Sequence, residues 1–128
     1  MTILNETRHA AEFVFSMANG GRSVESASVD ATGAALEAGT IMGLVTASGT
    51  YVRQDLAATD GSEVAAGICY NEIDEDFVGQ ETIFVRDGEV IQANLFYADG
   101  ATPAQIQAAD EALAALGVIV RTSVTPIF

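Results

Sequence analysis

The sequence predicts a mainly β fold with one C-terminal α-helix (α+β), organised around a single domain. Short runs rich in β-branched and aromatic residues alternate with glycine-containing turns through the middle of the chain. Only one later segment, 103–116, is instead rich in Ala, Gln, Leu and Glu. The chain has 128 residues. At this length folding buries roughly two-thirds of the surface, which is enough for a core without disulfides or metals.

The predicted core contains fewer large apolar side chains than the overall hydrophobic content suggests. Hydrophobic residues make up 49% of the chain, which excludes an acidic disordered protein. However, 22 of these residues are alanine, so large apolar side chains are fewer than the percentage suggests. We therefore expect the protein to gain stability by burying further surface against copies of itself.

The first section, 1–22, is predicted to be an N-terminal arm ahead of a β-rich domain that spans 23–128. Alternation over 12–17 places three large apolar side chains on one face of a strand: Phe13, Phe15 and Met17. Residues 19–21, Asn-Gly-Gly, end this strand. Two interpretations stay open, because the strand could belong to a free arm or be an integral part of the domain. A weaker alternation over 23–29 predicts a short second strand.

The middle of the chain predicts a β-hairpin followed by a buried strand. Residues 39–46 and 50–54 form the two arms of the hairpin, with Ser48-Gly49 as a two-residue turn. Residues 64–70 are an almost continuous apolar run of strand length. Continuous rather than alternating apolarity predicts burial on both faces.

A second hairpin is predicted between residues 81 and 97. The runs 81–86 and 89–97 are rich in β-formers and are separated by Asp87-Gly88. An Asp-Gly pair between two such runs is typical of a type I′ turn, since both central residues then need positive φ.

The helix carries clear signals at both ends. Thr102 is a good N-cap, Pro103 suits the first helical position, and Gly117 suits the residue after the helix. Within 103–116, four apolar residues fall at helical spacing: Ile106, Ala109, Leu113 and Leu116. Residues 118–124 then predict a final strand.

The charge balance excludes several classes of partner. The chain has 18 acidic residues, five arginines and no lysine, for a net charge of -13. Binding to nucleic acid depends on cationic side chains that displace counterions, so no nucleic acid is expected as a partner. No membrane is expected either, because anionic lipids repel such a chain and no apolar run approaches a span of ~20 residues. The N-terminus also lacks the pattern of a signal peptide.

Candidate catalytic residues are few. His9 is the only histidine and lies in the N-terminal section, which excludes zinc sites built from paired histidines. Cys69 is the only cysteine, and its apolar strand predicts a structural, buried thiol. The absence of lysine excludes P-loop and Schiff-base chemistry. We therefore predict a protein that is not an enzyme and that has no catalytic residues and no cofactor.

One acidic cluster keeps an alternative open. Glu72, Asp74, Glu75 and Asp76 follow the buried strand. Several carboxylates could serve a hard cation such as calcium, but the spacing is not that of an EF-hand. A solvated loop is the preferred interpretation, so no metal site is assigned. A small calcium- or ligand-binding module that uses the 72–76 loop remains the alternative.

An ordered series of motifs in the middle section resembles a known family. The series is Gly39-Thr40-Ile41-Met42-Gly43, then Gly49-Thr50-Tyr51-Val52, then the run 58–68, Ala-Thr-Asp-Gly-Ser-Glu-Val-Ala-Ala-Gly-Ile. It is similar to the head decoration proteins of tailed bacteriophages, of the lambda type. The resemblance covers roughly residues 33–121.

The resemblance implies a structural protein of the virion. Members of this family form trimers on the outer surface of the expanded capsid, at its local three-fold positions. They bind the major capsid protein and stabilise the head against internal DNA pressure. The implied fold is a compact β-clip-like domain, whose N-terminal arm adds a strand to the capsid protein. The implied location is the virion, after synthesis in the host cytoplasm.

The arm is where this chain departs from the lambda member. The lambda arm is rich in proline, whereas residues 1–30 here contain none. By position, the expected capsid-binding residues are Phe13, Val14, Phe15 and Met17. A tail or fibre adaptor of similar β-rich, acidic character is the alternative within virion proteins.

Overall fold

The computed structural model describes residues 13–18 and 21–122. These residues form eight β-strands and one α-helix, so the predicted mainly β fold with one C-terminal helix is confirmed. The strands are β1 Val14–Met17, β2 Val24–Asp30, β3 Ile41–Val45, β4 Thr50–Arg53, β5 Ala65–Cys69, β6 Val78–Phe84, β7 Gly88–Ile91 and β8 Val118–Arg121, and the helix is α1 Pro103–Ala115.

Five strands close into a small barrel in the order β2-β4-β3-β5-β6. All of its pairings are antiparallel except the short contact of β2 with β4, where Val29 lies beside Tyr51. One buried cluster includes Val29, Met42 and Ile83. The barrel is tight at Gly43, where a Cβ atom would lie 2.1 Å from the backbone oxygen of Ser62. Glycine is therefore required there for close backbone approach.

The remaining strands form a second sheet in the order β1-β7-β8. β1 runs antiparallel to β7, and β7 runs parallel to β8 with α1 in the connection between them. The helix contacts β8 and β5, so it spans from this sheet to the barrel. A second buried cluster joins the two parts and includes Phe13, Phe84, Val90, Leu113 and Val118.

The first predicted hairpin is confirmed, with a different turn. β3 and β4 are antiparallel, and Val45 pairs with Thr50. The turn therefore has four residues, 46–49, rather than the two predicted. Gly49 adopts φ +69°, and its amide donates to the Val45 carbonyl. Loop length in a hairpin depends on where pairing ends, which a short turn motif does not define.

The predicted hairpin at Asp87-Gly88 is wrong. β6 pairs with β2 and β5 in the barrel, whereas β7 pairs with β1 and β8 in the second sheet. Both edges of β6 are already occupied, so β7 has no place beside it. Asp87 does adopt positive φ, at 53°, but Gly88 does not. The chain therefore passes from one sheet to the other at this point, and the regular strand ends at Ile91 rather than continuing to residue 97.

The helix follows its sequence signals. The Thr102 hydroxyl accepts from the Gln105 amide, while the Gln105 side chain accepts from the Thr102 amide, which forms a capping box. Gly117 adopts φ +87° after the helix. Ala109 and Leu113 are buried as predicted, but Leu116 is 40% exposed.

No helix among residues 13–18 and 21–122 is long and apolar enough to cross a membrane. β8 ends at Arg121 and Thr122 lies outside it, so the predicted strand is shorter there; its last two residues, 123 and 124, lie outside the described residues.

Candidate functional site

β1 carries three of the predicted capsid-binding residues, Val14, Phe15 and Met17, and Phe13 directly precedes it. β1 lies at the edge of the second sheet and pairs with β7 alone. Within the part of the chain that the structure describes, its other edge has no strand partner. The rest of the predicted arm, residues 1–12, 19 and 20, lies outside the described residues, so the arm over 1–22 stays a prediction.

A β-bulge at Phe15 separates the predicted site residues. Val14 pairs with Val90 and Ser16 pairs with Glu89, which leaves Phe15 as the extra residue. Phe13 and Phe15 consequently differ in burial: Phe13 is fully buried, whereas Phe15 is 45% exposed. Met17 is 36% exposed and Val14 is half-buried. The structure therefore does not bring Phe13, Phe15 and Met17 to one exposed face.

Phe13 is part of the core. Its ring makes edge-to-face contacts with Phe84, at 5.8 Å between centroids, and with Tyr70, at 6.4 Å. Its carbonyl accepts from the amide of Ile91. Because aromatic pairs of this geometry add to the energy of burial, Phe13 anchors β1 to the domain.

The exposed side of the second sheet is both aromatic and charged. The Arg121 guanidinium lies 5.2 Å from the centre of the Phe15 ring and donates to Glu89 at 2.9 Å. The Ser16 hydroxyl also donates to Glu89 at 2.9 Å. These hydrogen bonds, from Ser16 first and then Arg121, lower the pKa of the Glu89 carboxyl. Together with exposed Ile119, they form what we call the outer sheet face: Phe15, Ser16, Glu89, Ile119 and Arg121.

A buried serine joins the second sheet to the barrel. The Ser23 hydroxyl donates to the Asp87 carbonyl at 2.7 Å and accepts from the Ala18 amide at 2.9 Å. The Ser23 carbonyl also accepts from the amides of Val85 and Arg86. One residue therefore holds the end of β1, the start of β2 and the connection between β6 and β7.

The acidic residues at 72–76 flank a buried residue, Ile73. Ile73 is buried and exchanges backbone hydrogen bonds with Leu36, while the four acidic residues around it are exposed. The Asp76 carboxylate accepts from the Gly33 amide at 3.0 Å. Among residues 13–18 and 21–122, no group of three or more His, Cys, Asp or Glu side chains is arranged to hold a metal ion.

The other candidate residue, Cys69, is buried in β5. Its thiol donates to the Asn71 carbonyl at 2.9 Å. Burial, together with the nearby Glu81 carboxylate, raises the pKa of the Cys69 thiol to about 12. The thiol is therefore protonated at neutral pH, which agrees with the structural role predicted for it. His9 lies outside the described residues.

The sequence did not reveal an apolar groove between α1 and the segment before β5. Its wall on the helix includes Ala108 and Ala112, and its opposite wall includes Leu56 and Val64. Val64 is 54% exposed although it directly precedes a buried strand. In the sequence, this groove is indicated only by two large apolar residues between β4 and β5, Leu56 and Val64. Sequence alone does not show which face of the helix they contact.

Comparison with known proteins agrees with the motif series. The sequence model of the family described as bacteriophage lambda head decoration protein D matches residues 3–118. A search of curated proteins found no match. The family match covers the barrel, the second sheet up to the start of β8, and the whole of α1. The chain therefore belongs to the bacteriophage lambda head decoration protein D family.

Proposed function

We propose that this protein is a homotrimeric cement protein of a phage head. Membership of the head decoration family is the observation that carries the proposal, since it implies a capsid decoration role. Three copies assemble and bind the outer surface of the expanded head at its local three-fold positions. There they stabilise the head against internal DNA pressure. The partner is the major capsid protein, and the role is structural rather than catalytic.

The second sheet supports this proposal with a suitable binding edge. An exposed strand edge can accept a strand from a partner through main-chain hydrogen bonds, and neighbouring side chains then add specificity. β1 provides such an edge, with Phe15 and Met17 exposed beside it. In this proposal Phe15, Met17 and half-buried Val14 contact the capsid protein directly. Phe13 supports them by anchoring β1 in the core.

Stabilisation of the head follows from preferential binding. A protein that binds the expanded shell, and not its separated capsomers, stabilises the shell by mass action. Three linked copies raise the effective concentration of each binding site after the first one engages. A strongly acidic subunit also discourages aggregation between decorated heads, because like-charged surfaces repel each other.

The test is binding to expanded, undecorated heads of the same phage. Saturable binding with density at the local three-fold positions in electron microscopy is the expected result. Phe15→Ser should weaken binding about tenfold, as expected for an aromatic contact worth about 1.4 kcal/mol. Phe77→Ser is the matched control, because Phe77 is a similarly exposed phenylalanine that lies near β6 instead.

Two outcomes would contradict the proposal. Wild-type protein that binds heads only at scattered positions, or not at all, would exclude a cement role. Virions that lack the protein should have fragile heads, and a tail defect with normal heads would instead indicate a tail or fibre adaptor.

A further inference from the structure

Three Asp-Gly pairs lie among the described residues: Asp60-Gly61, Asp87-Gly88 and Asp99-Gly100. In such a pair the glycine amide nitrogen can attack the carbon of the aspartate side-chain carboxyl group, because glycine has no side chain to hinder it. A new N–C bond forms, and the hydroxyl of the protonated carboxyl group leaves as water with the amide proton. Water then reopens this succinimide ring at either carbonyl, which gives aspartate again or isoaspartate.

The fold holds the first pair away from this reaction. The Asp60 carboxylate accepts from the Ser62 hydroxyl at 2.6 Å and from the Ser62 amide at 3.0 Å. The Gly61 amide, which would be the attacking group, donates to the Glu63 side chain at 2.9 Å. A Cβ atom on Gly61 would collide with the Thr46 hydroxyl, so there is little room for a new ring.

The second pair is held at the junction of the two sheets. The Gly88 amide donates to the Gly117 carbonyl at 3.1 Å, and the Asp87 carbonyl accepts from the Ser23 hydroxyl at 2.7 Å. A Cβ atom on Gly88 would collide with the ring of Phe84. Reaction at either of these two pairs therefore requires local opening of the structure, which costs free energy.

The third pair is not held in this way. The Asp99 side chain is 92% exposed, and its carboxylate is engaged in an exposed ion pair with Arg53, a weak type of contact. Gly100 adopts φ +72°, and a Cβ atom placed there would have no neighbour within 4 Å. Among the described residues, no hydrogen-bond acceptor engages the Gly100 amide.

We propose that Asp99-Gly100 is a site of spontaneous modification, where the folded protein forms isoaspartate through a succinimide. Isoaspartate routes the backbone through the side-chain carbon, so it lengthens the turn just before the N-cap of α1, Thr102. It also moves the carboxylate away from Arg53, which ends the ion pair between β4 and this turn. This inference goes beyond the proposed function, because the reaction needs neither further copies nor a phage head.

The test compares the three pairs in the folded and the unfolded chain. Wild-type protein is aged at mildly acidic pH, which protonates the carboxyl groups, either in buffer, where circular dichroism confirms the fold, or in urea. Isoaspartate is labelled with an isoaspartate methyltransferase and located by mass spectrometry of peptides. In buffer it should form at residue 99 at least about tenfold faster than at 60 or 87, since each 1.4 kcal/mol of opening slows a site tenfold. In urea the three rates should be similar.

Asp99→Glu is the matched control. It keeps a carboxylate near Arg53, but its side chain would have to close a larger ring, so no isomer should form at residue 99. Folded wild type that reacts equally at all three pairs, or fastest at 60 or 87, would overturn the inference. So would a residue 99 that stays unmodified in buffer while the chain in urea reacts. The same lead of residue 99 in urea would contradict it too, because local sequence rather than the fold would then select the site. Head binding by fresh protein tests the proposed function separately.

Discussion

Replacing Phe13 tests whether β1 is integral to the isolated subunit. Phe13 is fully buried and contacts Phe84 and Tyr70 edge to face. A phenylalanine of this kind buries ~150–250 Å². At ~25 cal/mol per Å² that corresponds to about 4–6 kcal/mol, which is an upper bound. Phe→Ala substitutions in cores cost about 3–5 kcal/mol, so we expect Phe13→Ala to lower the free energy of unfolding by that amount.

A loss of this size is a large part of the stability of a small domain. The free energy of unfolding of a typical domain is about 5–15 kcal/mol. For a domain of this size, the loss expected for Phe13→Ala corresponds to a melting temperature lower by about 10–20 °C. The assay is urea denaturation at one fixed protein concentration, because the proposed assembly of three copies would make the stability depend on concentration.

Phe15→Ala is the matched control, because Phe15 lies on β1 only two residues after Phe13. Phe15 is almost half exposed and contacts Arg121, a cation–π contact that contributes about 0.5–1 kcal/mol. We expect its substitution to cost about 1 kcal/mol. Equal, small losses for both variants would refute the reasoning, because they would show that residues 13–17 are not packed against the domain in the free protein.

Three further predictions concern polar groups that are buried or partly buried. Ser23→Ala removes the hydroxyl that bridges Ala18 and Asp87, so urea denaturation should show a loss of about 1–3 kcal/mol, whereas exposed Ser26→Ala should change stability by about 0.5 kcal/mol or less. Cys69 should resist thiol reagents at pH 8 until the protein unfolds. Its folded pKa of about 12 lies above the unfolded value of about 8.5, so its contribution to stability is complete below pH 8.5 and is lost as the pH rises toward 12; a reactive native thiol would contradict this. Tyr97→Phe removes the hydrogen bond to the carboxylate on α1 and should cost about 1–3 kcal/mol, while an unchanged urea midpoint would show that the bond contributes nothing net.

Local features were predictable because neighbouring residues encode them. The helix at α1 begins after Thr102 and is followed by Gly117, as the capping signals predict. The pairing of β3 with β4 was likewise readable, since the two strands are close in sequence. The family match and the motif series agree because both depend on the order of such local patterns.

The candidate site was only partly predictable. Alternation over 12–17 indicated a strand, and the structure has β1 at Val14–Met17, with Phe15 and Met17 exposed. Alternation did not reveal the bulge at Phe15, because a bulge depends on the register with β7. For the same reason the burial of Phe13 could not be predicted, since its partners Phe84 and Tyr70 are far along the chain.

The sequence by itself determined the fold class, the helix and its ends, the acidic character and the family. Only the tertiary structure decided which strands are neighbours. Asp87-Gly88 looked like a hairpin turn, yet it connects two sheets, because β2 and β5 already occupy both edges of β6. The groove beside Val64 also exists only after α1 packs near β5. The physical reason is that a hydrophobic pattern defines which face of an element is buried, whereas its partner is chosen by long-range packing and by the edges that remain free.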